Sequence, residues 1–147
     1  MLTDGRIIFG SDGTDYRCFH THDGFGIVRA IKLGLRLAVI SGSTSVTLTR
    51  RMRPLGVGDV LQGNMDKVHA YLELKKKYRL ADDEVAFIGD DDFDLPLLAI
   101  VGVSCAPADA MITVRRSVDY VTAAEGGRGA VRELLDLILR AQGKLES

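Results

Sequence analysis

From Leu35 onward, short apolar runs alternate with stretches of helical period, and the links between them are only a few residues long. Leu35–Ile40, Gly58–Leu61, Val85–Ile88, Gly102–Cys105 and Tyr120–Val121 read as strands. Between and after them, helices are predicted from Ser43 to about Pro54, then over Lys67–Tyr78, Phe93–Ile100, Asp109–Arg116 and Ala130–Gln142. In Lys67–Tyr78 the apolar positions are Val68, Tyr71, Leu72 and Leu74. In Ala130–Gln142 they are Val131, Leu134, Leu135 and Ile138. This alternation admits few architectures. It predicts an α/β fold with a Rossmann-like, doubly wound parallel sheet and helices on both faces. The first part of the chain differs. Arg6–Gly10 and Tyr16–Phe19 flank the turn signal Ser11-Asp12-Gly13 and read as a β-hairpin, and Asp23 is placed to cap a helix over Gly24–Leu33.

A chain of 147 residues with 46% hydrophobic content makes one domain with a real core. Its 19 basic and 20 acidic residues nearly cancel, so no basic field calls for nucleic acid or a membrane surface. No apolar run approaches membrane-spanning length, and Met1-Leu2-Thr3-Asp4 is no signal peptide. Cys18 and Cys105 lie far apart without a CxxC partner, as reduced thiols of a cytoplasmic protein would. His20, His22 and His69 lack zinc-ligand spacing.

Ligands in doubly wound folds sit at the carboxyl ends of the strands, where this chain has three polar clusters. Ser41-Gly42-Ser43 ends a strand and opens a helix, so it is either a phosphate seat or a plain cap. Lys67 opens a helix after Gln62-Gly63-Asn64, at the end where a cation opposes the helix dipole. It serves a ligand or neighbouring carboxylates, or is simply solvated. Asp90, Asp91, Asp92 and Asp94 crowd one loop after an apolar strand. Carboxylates at this density repel unless a cation offsets them, and all-oxygen donors suit Mg²⁺. The alternative is a solvated turn whose aspartate caps the next helix. Together, hydroxyl, lysine and carboxylates describe a Mg²⁺-assisted phosphoryl-transfer site.

In order, S-G after a strand, the lysine of Q-G-N-M-D-K, and G-D-D-D-F-D resemble motifs two to four of haloacid dehalogenase-type phosphatases. Residues 2–5 (L-T-D-G), 19–27 (F-H-T-H-D-G-F-G-I), 126–133 (G-G-R-G-A-V-R-E) and 141–145 (A-Q-G-K-L) resemble the branch that acts on 3-deoxy-D-manno-octulosonate (KDO) 8-phosphate. The resemblance implies a capless, cytoplasmic homotetramer. It would use Mg²⁺ to release phosphate from a keto-sugar acid phosphate in lipopolysaccharide precursor synthesis. Residues 1–20 would be the hairpin and oligomerisation element, and residues 21–147 the α/β core. Asp90 would bind metal, Ser41 and Lys67 would hold phosphate, and Asp91 and Asp94 would support metal and lysine. His20, Thr21, His22, Asp23, Gly24 and Arg51 would contact substrate, and Arg128 would reach a neighbouring site.

The resemblance also exposes departures. The family's nucleophile and acid/base aspartates belong to D-V-D-G, directly before V-L-T-D-G; Met1 stands where that valine would be, so neither falls within residues 1–147. The strand leading into that motif would lie between those ending at Ile40 and Ile88, and without it they should stand about two strand spacings, roughly 9–10 Å, apart. A shortened reading frame, an inactive paralogue, and a module whose gap another chain fills all accommodate this. Val28 and Ser43 stand where the family carries basic residues. Three other readings stay open. One is a phosphatase for nine-carbon ulosonic acid 9-phosphates, another a non-catalytic oligomerisation module. The third, a receiver-like domain, fits the order Ser41, Lys67, Asp90 poorly.

Overall fold

The computed structural model describes residues 1–146. At the N-terminus, β1 (Ile8–Phe9) and β2 (Asp15–Tyr16) form the expected antiparallel hairpin. Helix α1 (Thr21–Lys32) begins three residues earlier than predicted, because the His20 imidazole caps it: Nδ1 accepts from His22 N–H at 3.2 Å. Asp23 is therefore not the cap of this helix but a residue of its first turn.

β3 (Ala38–Ser41) lies parallel to β4 (Asp59–Gln62), with Ser41 opposite Gln62. Between them run α2 (Val46–Met52) and a 3₁₀ turn at Arg53–Leu55, where Pro54 cannot supply the N–H that would extend the helix. Gln62 fastens the start of α2: its Oε1 accepts from Ser45 N–H and its Nε2 donates to Thr49 Oγ1, both at 2.7 Å. Helix α3 (Lys67–Tyr78) keeps its predicted limits. Asp66 caps its start, and Arg79, in the left-handed region at φ 54°, ends it. Its apolar face differs in detail, since Ala70 and Tyr71 are buried but Leu72 is exposed.

β5 (Ala86–Ile88) leads through the 3₁₀ turn Asp92–Asp94 into α4 (Leu95–Leu98), shorter than predicted. β6 (Val103–Ala106), α5 (Ile112–Arg115), β7 (Tyr120–Val121) and α6 (Ala130–Ala141) follow. β5, β6 and β7 form a second parallel sheet in that order. The parallel α/β class is as expected, but the strands divide into two sets. Among the described residues no pairing joins β3 to β5.

The larger core lies among α1, α2 and α6, with Ile27, Ala30, Leu48, Met52, Leu135 and Leu139 buried together. Gly26 allows α6 to come close, because a Cβ there would stand 2.7 Å from Arg132 Cδ and 3.2 Å from Arg132 Cα. A second cluster, Leu98, Ala106, Ala110 and Val114, packs α4 and α5 against β6. Among the described residues no helix is long and apolar enough to cross a membrane.

Candidate active site

Three chain segments meet where strands β3 and β5 end. Lys67, at the first position of α3, extends its ammonium to Asp94 Oδ1 at 2.5 Å. Both side chains are sheltered, Asp94 at 0% and Lys67 at 9% exposure. The other oxygen of Asp94 accepts the backbone N–H groups of Asp90 at 2.8 Å and Asp91 at 3.3 Å. One buried carboxylate thus fixes both the lysine and the backbone of the acidic loop. Gly89 is what lets the loop close this tightly, since a Cβ there would lie 2.6 Å from Asp94 Cβ. Lys67 Nζ also stands 4.6 Å from the centre of the Phe93 ring, a cation–π contact that partly replaces its lost water.

Ser41, the last residue of β3, donates its hydroxyl to Ser43 O at 2.9 Å, which shapes the loop into α2. A cleft of about 430 Å³ opens beside Ser43. Asp90, Asp91, Ser43, Phe93, Arg17 and Asp4 contribute to its wall. The Asp90 carboxylate faces this cleft and is 38% exposed. Asp91 turns one oxygen to Asp92 N–H at 2.7 Å.

The donor set suits a hard cation in kind. Among the described residues, no three histidine, cysteine, aspartate or glutamate side chains converge as a metal cage.

The expected substrate residues separate. His20, His22 and Arg128 line a second cavity of about 490 Å³, which shares Asp4 with the first. Within this chain Arg128, expected to reach a neighbouring site, lines the same cavity as His20 and His22. Thr21 is exposed at the start of α1. Gly24 is buried beneath the Arg51 guanidinium, which lies where a Cβ at 24 would project. Asp23 is the clearest departure. It is 2% exposed, and its two oxygens accept Gly129 N–H at 3.2 Å and Arg132 N–H at 2.9 Å. It caps α6 from 106 residues away, and its burial keeps its oxygens from the cavity. Arg17 was not foreseen in the cleft, because only the folding of the hairpin over the Ser43 loop brings it there.

Known proteins show what this arrangement is similar to. Residues 49–134 match the haloacid dehalogenase-like hydrolase family. The 3-deoxy-D-manno-octulosonate 8-phosphate phosphatase of Haemophilus influenzae is 41% identical over 144 residues, covering 98% of this chain and 80% of the relative. The crystal structure of the phosphatase of that name from Yersinia pestis superposes with a TM-score of 0.98 at 42% identity, over 100% of this chain and 80% of that one. The Moraxella catarrhalis enzyme, solved with a magnesium ion, a phosphate ion and KDO, gives 0.95 at 38% identity, over 97% and 82%. With the motif order, the parallel fold and these matches in agreement, the chain belongs to the haloacid dehalogenase-like hydrolases, among their phosphoric monoester hydrolases.

Proposed function

We propose that this chain carries the phosphate- and metal-binding half of a Mg²⁺-dependent phosphatase acting on 3-deoxy-D-manno-octulosonate 8-phosphate. The observation that carries the reading is the wiring of Lys67, Asp94 and the Asp90–Asp91 backbone into one buried unit. A lysine ammonium held at a strand end neutralises phosphate charge as the P–O bond to the sugar breaks. The Ser41 hydroxyl donates to a phosphate oxygen, trading its bond to Ser43. Asp90 would hold Mg²⁺, which supplies electrostatic stabilisation of the phosphoryl group. Asp91 orients the loop, and His20, His22 and Arg128, which line the second cavity, would contact the sugar.

In the family, the nucleophile and the acid/base come from D-V-D-G, and residues 1–147 contain no such sequence. Residues 1–147 by themselves are expected to release no phosphate and to bind Mg²⁺ weakly, as phosphate-release assays and calorimetry would show. The hairpin exposes Ile8, Phe9 and Tyr16 at 53%, 74% and 55%, which supports its role as the association element of a homotetramer.

The test joins a family strand ending in D-V-D-G ahead of Met1. Phosphate release is then assayed with Mg²⁺ on eight- and nine-carbon sugar acid phosphates. Turnover of the eight-carbon substrate is expected. A folded protein without turnover on either would favour a non-catalytic assembly module, and sedimentation velocity tests the tetramer independently.

A further inference from the structure

Arg17 follows β2 at the base of the hairpin, and its side chain is only 17% exposed. Its Nε donates to Asp15 Oδ2 at 3.2 Å, and the Ser45 hydroxyl lies 3.5 Å from the same oxygen. Its Nη1 reaches Ser43 Oγ at 3.5 Å. Asp15 thus takes the Nε edge of the guanidinium, while the hairpin and the Ser43–Ser45 loop hold its plane. Arg17 lines the cleft with Asp90 and Asp91, and among the described residues no carboxylate is bonded to its Nη groups.

The other cations near the cleft are differently placed. Arg6 is 74% exposed and pairs with Asp4 at 3.4 Å. Lys67 is committed to Asp94. Four carboxylates, those of Asp4, Asp90, Asp91 and Asp109, also line the cleft. An anion entering it needs a cation that is already positioned and still has donors to give.

The geometry points to Arg17 as the residue that reads the carboxylate of the substrate, while the phosphate takes Ser41, Lys67 and the metal end. This assignment rests on the sugar-acid reading above. A sugar acid phosphorylated at its far end carries an anion at each end, and telling it from a neutral sugar phosphate requires a second anion seat. A planar fork of parallel N–H groups fits a carboxylate with two bonds, which a lysine cannot reproduce.

The experiment is titration calorimetry on the full chain with Mg²⁺ present. The probes are free 3-deoxy-D-manno-octulosonate and inorganic phosphate. Arg17→Gln is expected to weaken sugar-acid binding at least roughly tenfold and to leave phosphate binding within about twofold. Arg17→Lys recovers only part of the loss. Unchanged sugar-acid affinity in Arg17→Gln overturns this assignment and leaves the phosphatase reading standing. Equal loss of both probes also overturns it, making Arg17 a phosphate ligand. An unsubstituted chain that binds phosphate but not the sugar acid overturns the sugar-acid reading and this assignment together. Melting curves accompany each variant. If Arg17→Gln does not fold, Arg17→Lys decides: full sugar-acid affinity there overturns the two-bond fit, and a selective loss supports it.

Discussion

Lys67 and Asp94 hold opposite charges in a place with almost no water. Such a pair is weak evidence for stability by itself, but breaking it strands a buried charge. Lys67→Met should therefore lower the unfolding free energy by about 3–5 kcal/mol, measured by urea denaturation. The effect on phosphate binding should appear in the same variant. Asp23 makes a different kind of link, since its carboxylate satisfies the sheltered N–H groups at the start of α6. Asp23→Ala should cost about 2–5 kcal/mol, from two charge-assisted bonds and the donors left unpaired. If Asp23 acted on substrate instead, that variant would keep its stability and lose sugar-acid binding.

The helices show how far local pattern reaches. Lys67–Tyr78 was legible to the residue from its helical period, and Asp66 and Arg79, which flank the segment, cap and end it. Lys67 and Asp94 were legible as partners from the order of the polar clusters. The true cap of α1 was harder to see, because a histidine imidazole took a place that an aspartate three residues on also suited. The cap of α6 comes from another helix, and Arg17 enters the cleft only when the hairpin folds over. Neither leaves a periodic signal. Helix α6 also depends on charge. Burial would raise the Glu133 carboxyl, but the N–H groups of Ala123 and Ala124 and the Tyr120 hydroxyl outweigh it and hold it below the usual range. Burial would likewise raise the Asp136 carboxyl, but Arg29 and Arg132 outweigh it and hold that carboxyl below the usual range. Carboxyls depressed in the folded state stabilise it above their unfolded values of roughly 4–4.5, and this is lost as pH falls through the folded values. The melting temperature should hold from pH 7 to about pH 5 and fall below about pH 4.5. Glu133→Gln should lower it at pH 7 and narrow the difference between pH 7 and pH 3.

At the scale of the molecule, the strands form two parallel sets, and β3 and β5 each have one bonded neighbour. In a parallel ladder, the N–H and C=O of one residue point to one side and those of the next residue to the other. The amides of β3 that face β4 are locked, and the intervening ones are not. The same holds for β5 against β6. Hydrogen–deuterium exchange followed residue by residue should therefore show an every-other-residue rhythm along Ala38–Ser41 and Ala86–Ile88, in contrast to uniform protection along β6, which is bonded on both sides. Loss of that rhythm on adding a D-V-D-G strand would show that both edges had gained a partner. The exchange record would then report, amide by amide, when the two sets of strands become one cooperative sheet.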